Sequence, residues 1–256
     1  MSDSSLRGKT AVVTGASRGL GRRIAQALAA HGARVAMLAR SSADLTAAAA
    51  EIGSPAVAIE CDVADPSSVK AAFAAVARQF GGMNLLINNA AITELHKVEH
   101  ASDASLAREL AVNLAGPIYC CREAIPLLRA AGDGDIVNVT SESVERPFPY
   151  LTVYSATKGG LETFSAGLRA EVRPDGIRVM VLRVGHLAES GITRNWAPDT
   201  LAEYMQAIKR SGHLADTNLN LAPATVAAAL VNALAMPRDA RIGLIDIRSN
   251  VPASAR

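Results

Sequence analysis

The chain is predicted to fold as one Rossmann-like α/β domain spanning residues 1–256, a doubly wound parallel sheet of about seven strands with helices on both faces. Three observations predict this. Short runs of β-branched and aliphatic residues recur seven times along the 256 residues. Ala-rich helical stretches separate them in regular alternation. The strands are apolar throughout rather than alternately polar, as strands covered on both faces must be. Repeated strand–helix–strand units favour a parallel sheet with right-handed crossovers.

The elements follow in order. Thr10 to Thr14 is a first strand, and the helix behind it ends near His31-Gly32, where glycine suits a C-cap. Arg34 to Ala39 is the second strand, and Ser42 opens a second helix. Ala56 to Cys61 is the third, with a helix from Pro66-Ser67. Asn84 to Asn88 is the fourth; the next helix starts at Ser102 and runs, with a break, toward Arg129. Ile136 to Thr140, Arg178 to Val184 and Ile242 to Ile247 complete the set, with helices at Thr152–Val172 and near Ala224–Ala235.

Composition excludes several classes. Aromatic residues make up 4% of the chain, too few for a stacking platform on single-stranded nucleic acid. The net charge of +2 comes without a basic run, so no phosphate backbone is an expected partner. No apolar run reaches membrane-spanning length, and Met1 to Lys9 lacks the apolar core of a signal peptide. A cytoplasmic location is therefore expected. Cys61, Cys120 and Cys121 are odd in number and scattered, which suits small core residues better than disulfides or a metal site.

Two segments carry chemistry. Thr14-Gly15-Ala-Ser17-Arg18-Gly19-Leu20-Gly21 falls where the first strand turns into the first helix. Gly15 permits the tight turn, and Gly19 and Gly21 remove side chains where a phosphate or a neighbouring backbone comes close. The helix N-terminus offers N–H groups and a positive dipole end to a pyrophosphate. The second strand ends in Met37-Leu38-Ala39-Arg40-Ser41-Ser42, without the acid that would grip a ribose 2′-hydroxyl. Arg40 and Arg18 suit a 2′-phosphate instead, so NADP(H) is expected ahead of NAD(H). The other segment is Tyr154-Ser-Ala-Thr-Lys158, with Ser141 upstream. At i and i+4 on a helix, the phenol and the ammonium share a face, and the cation is expected to lower the phenol's pKa for acid/base work.

With these motifs in this order, the chain resembles the short-chain dehydrogenase/reductase family over roughly Leu6 to Ile247. Thr14 to Gly21 matches the family's TGxxxGxG, Cys61-Asp62-Val63 the segment meeting the adenine, and Asn88-Asn89-Ala90-Ala91 its NNAG, with Ala91 in place of the last glycine. The resemblance implies a catalytic tetrad of Asn113, Ser141, Tyr154 and Lys158. Tyr154 would exchange the proton, Lys158 bind the nicotinamide ribose, Ser141 hold the substrate oxygen, and Asn113 hold a relay water. It also implies cofactor contacts from Gly15, Ser17, Arg18, Gly19, Leu20 and Gly21, from Arg40, Asp62 and Val63, and from Asn89, Ala90, Tyr154, Lys158 and Gly185. The implied activity is NADP(H)-dependent interconversion of a small-molecule carbonyl and a secondary alcohol, with a 3-oxoacyl-carrier-protein reductase-like role as the narrower form. A dinucleotide-binding regulator or scaffold with little turnover is the alternative. A homotetramer is expected before a dimer, packed through about Ser102–Arg129 and Thr152–Val172.

Two departures stand out. The family's Pro-Gly after the sixth strand is Val184-Gly185 here, with Glu189 at the position of a nicotinamide-gripping Thr and Ser190 next to it. Arg248-Ser249-Asn250 follows the last strand where relatives have Asp-Gly-Gly. One rival motif also appears, since His96-Lys-Val-Glu99-His100 matches the H-x-x-E-H of inverted zinc peptidases. That motif needs a helix, whereas Ser102 starts the helix only after His100, so no metal is expected. His186 and the acids Glu142, Glu145 and Glu189 are expected to flank the pocket. Residues 186–221 resemble the family's variable substrate lid, in which Trp196, Tyr204 and Met205 pack a short helix onto the body or contact substrate.

Overall fold

The computed structural model describes residues 6–40, 43–187, 193, 196–213 and 221–250. Its strands are β1 (Thr10–Thr14), β2 (Arg34–Ala39), β3 (Ala56–Glu60), β4 (Leu85–Asn88), β5 (Asp135–Ser141), β6 (Arg178–Val184) and β7 (Leu244–Ile247). They form one parallel sheet in the order β3-β2-β1-β4-β5-β6-β7. The order reverses between β1 and β4, and a crevice opens outside the carboxyl ends of strands at such a point.

The helices are α1 (Gly19–Ala30), α2 (Ala43–Ile52), α3 (Pro66–Phe80), α4 (Asp103–Leu110), α5 (Gly116–Ala131), α6 (Thr152–Glu171), α7 (Pro198–Arg210) and α8 (Pro223–Leu234). Successive strand residues point to opposite faces, and two cores result. Val13, Met37, Ile87 and Leu182 pack with α1, α2 and α8, whereas Val12, Leu38, Leu86 and Ile136 pack with α3, α5 and α6. Both faces are thus covered, which explains the wholly apolar strands. Cys61, Cys120 and Cys121 are free thiols buried in the second core. No helix among the described residues is long and apolar enough to cross a membrane.

Local chemistry sets the ends. The Asp65 carboxylate accepts the Ser67 N–H at the start of α3, and Gly81 closes that helix at φ 76°. Ser102 Oγ accepts the Ser105 N–H at 3.1 Å, so α4 starts where the cap predicts. The expected break in the helix that follows is a π-turn over Ala111–Ala115, which places Asn113 at its centre, fully buried.

Candidate active site

A cavity of about 980 Å³ runs along the carboxyl ends of the strands, from the β1–α1 turn to α7. Its size is at the upper end of the roughly 300–1,000 Å³ seen for ligand clefts. At one end lie Gly15, Ser17, Arg18, Leu20 and Gly21, with Arg40, Asp62 and Val63 beside them. Asn89 and Ala90 line the middle, and Ser141, Tyr154, Lys158 and Gly185 the far half. Of the residues expected to form the site, Gly19 and Asn113 do not line the cavity.

The glycine turn is held by the protein's own packing. Thr14 Oγ1 accepts the backbone N–H groups of Asn89 and Ala90, both at 3.0 Å, and ties the end of β1 to that of β4. The Asn89 amide donates to the carbonyls of Thr14 at 2.9 Å and Gly15 at 3.3 Å. Asn89 therefore touches the cavity while its amide supports the turn. Gly15 and Gly19 have φ of 64° and 54°, in the left-handed region that favours glycine. At Gly21 a Cβ would lie 2.4 Å from both Asn89 Nδ2 and the Gly15 carbonyl oxygen, so a neighbouring backbone, not only a phosphate, requires glycine there. Gly21→Ala is expected to cost about 1–3 kcal/mol through overpacking and to weaken dinucleotide binding, as read by urea unfolding and fluorescence titration.

This end fits a dinucleotide. The α1 N-terminus has no side-chain cap and no acid in its first turn, leaving its positive dipole end facing the cavity. Neither Arg18 nor Arg40 is held in an ion pair among the described residues. Asp44, in the first turn of α2, also lines the cavity and was missed because it lies five residues beyond the end of β2. Arg108 was missed too; it lies one helical turn before the cavity-lining Val112.

At the far half, β5 delivers Ser141 and α6 delivers Tyr154 and Lys158. The Ser141 hydroxyl accepts the Ser143 N–H at 3.2 Å and hydrogen-bonds the Tyr154 phenol, which pulls the phenol's pKa down. Burial is the larger effect, and with the carboxylates of Glu109 and Glu142 it pushes Tyr154 up to about 12. The Lys158 ammonium, 2% exposed, donates to the Val139 carbonyl at 3.0 Å and stands 5.8 Å from the centre of the Tyr154 ring. Burial lowers its pKa to about 8. The expected lowering of the phenol's pKa by Lys158 is therefore corrected. Spacing puts the two side chains on one face, but the ammonium turns toward β5 and leaves desolvation in control. Asn113 braces the chain beyond β4: its amide accepts the Ile92 N–H and donates to the Ile92 carbonyl, each at 2.9 Å.

A family model described as short chain dehydrogenase matches residues 9–200. The chain belongs to the short-chain dehydrogenase/reductase family. It is 36% identical over 199 residues to D-threitol dehydrogenase of Mycolicibacterium smegmatis, covering 74% of this chain and 76% of that one. To the 3-oxoacyl-[acyl-carrier-protein] reductase of Bos taurus it is 35% identical over 179 residues, covering 70% and 76%. The crystal structure of a metagenomic short-chain oxidoreductase in complex with NADP superposes with a TM-score of 0.80 at 27% identity, covering 97% of this chain and 100% of that one. The chain is accordingly an NAD(P)-dependent oxidoreductase of the short-chain dehydrogenase/reductase family.

The departures from the family pattern are absorbed structurally. Val184 is the last residue of β6, paired with Ser141 on one side and Ile247 on the other, and the Gly185 N–H donates to the Ile247 carbonyl at 2.9 Å. Arg248 joins Glu145 and Asp246 in a network that also holds Arg183 and Glu162. Glu145 is thereby drawn away from the cavity it was expected to flank; Glu142 and His186 do line it. Glu189 and Ser190 lie outside the described residues, as does much of the expected lid. Trp196 and Tyr204 stack edge to face at 5.5 Å, and both line the cavity with Met205.

The H-x-x-E-H segment is a short 3₁₀ turn, Val98–His100, not a helix. His96 turns inward to Glu109, while His100 stays exposed beside Glu99. Among the described residues no group of three or more His, Cys, Asp or Glu side chains is placed to hold a metal ion.

Proposed function

We propose that this enzyme is NADP(H)-dependent and interconverts a carbonyl and a secondary alcohol. The observation that carries the reading is the convergence of Ser141, Tyr154 and Lys158 on the same cavity that the glycine turn, Arg18 and Arg40 line. NADP(H), when bound, supplies or takes up the hydride. Gly15, Ser17, Leu20 and Gly21 would hold its pyrophosphate, Arg18 and Arg40 its 2′-phosphate, and Asp62, Val63 and Ala90 its adenosine end. Lys158 and Gly185 would hold its nicotinamide riboside, and Gly19 shapes the turn from outside the cavity.

Tyr154 holds the transferable proton on its Oη. In carbonyl reduction that proton passes to the substrate oxygen, which Ser141 positions; in alcohol oxidation it returns. A phenol held near 12 is a weak acid at neutral pH but a strong base once ionised. The buried Lys158 ammonium offers a proton for resupply, and with the Asn113 amide committed, the backbone at the π-turn is the candidate support for a relay. The substrate end is apolar, lined by Phe148, Leu151, Trp196, Leu201, Met205 and Ile208. Such a wall suits an acyl chain, the 3-oxoacyl-carrier-protein reductase-like form of this reading, better than a polyol. A cytoplasmic homotetramer belongs to the same reading; Leu110 and Ile118, 48% and 36% exposed along α4 and α5, suit its packing face.

NADPH and NADH oxidation with a ketone and 3-oxoacyl panel tests this. Wild type should favour NADPH, and Arg40→Ala should cut that preference about 10-fold or more, the loss of one charge-assisted hydrogen bond. A preference for NADH would overturn the 2′-phosphate assignment and give Asp44 the ribose instead. Tight NADPH binding without turnover on any substrate would make the chain a dinucleotide-binding regulator.

A further inference from the structure

Glu109 is a carboxylate with no place in the reading above, yet it is fully buried at the end of α4, four residues before Asn113. Its Oε1 accepts the Glu94 N–H at 3.2 Å. Its Oε2 has no hydrogen-bond partner among the described residues, although His96 Nε2 stands 3.3 Å away. The His96 ring is 10% exposed, and both of its nitrogens likewise lack aligned partners. A buried carboxylate with an unsatisfied oxygen is costly, and a residue of the same shape without charge would avoid that cost.

The pair sits at a junction. The strand β4 is followed by a strap, residues 91–97, whose successive residues are tied down from different elements. Asn113 clamps Ile92, the Trp196 indole donates to Thr93, Glu109 takes the Glu94 N–H, and the His96 N–H donates to the Tyr150 carbonyl at 3.2 Å. Ile92 and Thr93 line the cavity. Tyr150, in the left-handed region at φ 65°, leads into α6 and its Tyr154. The titratable groups that act on Glu109 are Glu94 and His96 from the strap, and Glu109 acts in turn on Tyr154 of α6, together with Glu142 from the end of β5.

We propose that Glu109 is a positioning residue for the reaction: paired with His96, it anchors the substrate-side strap to the Asn113 helix and so seats the Ile92–Thr93 wall of the cavity. Its charge also acts on Tyr154, since Glu109 is among the groups that raise the Tyr154 pKa, and burial raises that of Glu109 itself. Among the described residues His96 is the side chain that faces the free carboxylate oxygen. Removing the Glu109 charge would both loosen the strap and ease proton release from Tyr154, so the two change together.

The proposal rests on Tyr154 being the acid/base group, and two readouts separate its failure from the failure of that reading. The first is the pH profile of kcat/KM for ketone reduction. The second, independent of turnover, is ultraviolet titration of the Tyr154 phenol, isolated by subtracting the Tyr154→Phe spectrum. In Glu109→Gln both should move to lower pH by about one unit, with a raised KM. In His96→Gln the KM should rise as in Glu109→Gln, because the strap loses the same anchor. If Glu109→Gln folds and binds NADPH but neither readout moves, or moves up, the proposal is overturned. If Glu109→Gln does not fold, His96→Gln decides: an unmoved KM overturns it. Absence of turnover in wild type would sink the functional reading, while the ultraviolet titration would still test the Glu109 coupling.

Discussion

Tyr154→Phe is expected to lower kcat/KM by about 10²–10⁴-fold, the usual contribution of a positioned general acid/base. The Kd for NADPH should stay close to that of wild type. The separation follows from the geometry: the phenol oxygen meets Ser141 and the cavity, whereas Ile208, Leu151 and their neighbours pack the ring side of the same cluster without needing the hydroxyl. The phenylalanine ring keeps that packing and removes only the atom that carries the proton. Stopped-flow or steady-state NADPH oxidation, with fluorescence titration of NADPH, measures both quantities. Retained turnover would remove Tyr154 from the proposed site; a large loss of NADPH affinity would give it a binding role instead. Ser141→Ala should fall in the same direction by a smaller factor, because it deletes a hydrogen bond to the reacting oxygen and not the proton donor.

Lys158→Met is expected to abolish turnover and yet to stabilise the fold at pH 7 by about 1–3 kcal/mol. Burial holds the Lys158 pKa near 8, below its ordinary value of 10.5. The unfolded chain then binds this proton more tightly than the folded one. Below pH 8 the whole cost of burying the ammonium is present, on the order of 3 kcal/mol for a shift of that size. As pH rises from 8 toward 10 the folded protein loses the proton first, the unfolded state carries more protons, and stability climbs. Methionine removes the charge and so removes both the cost and that climb, while the lost bond to the Val139 carbonyl takes back about 1 kcal/mol. Urea unfolding of the two proteins at pH 7, 8, 9 and 10 reads the effect. Comparison stops at pH 10 because Tyr154, pushed up to about 12, contributes the opposite slope above it: the unfolded tyrosine ionises first. A variant less stable at pH 7, or one with the same slope as wild type, would show that the Lys158 charge is not a burden on the fold.

The parts of the site that depend on neighbours along the chain are legible in the sequence itself. Seven strands, the Ser102 cap, the glycine turn and the i, i+4 placement of Tyr154 and Lys158 all follow from local conformational preference and from side-chain periodicity. The same local logic separates the H-x-x-E-H residues, since a cap at Ser102 leaves His100 outside the helix. What eludes it involves partners distant along the chain. Asp44 and Arg108 reach the cavity because α2 and α4 pack beside it, and neither carries a motif. Glu145 looks like a pocket residue by its distance from Ser141, but Arg183 and Arg248 draw it aside.

Residue order along the chain was therefore enough to settle the fold class, the family and those cavity groups that sit in motifs, because apolar periodicity and motif spacing are properties of contiguous sequence. The proton affinities of those groups were decided only by the tertiary structure. Desolvation and charge act through space: Tyr154 is raised by burial and by Glu109, 45 residues earlier in the chain, while Lys158 spends its ammonium on a strand carbonyl. The spacing that brings a phenol and an amine onto one helical face does not say which of its other neighbours each will answer to.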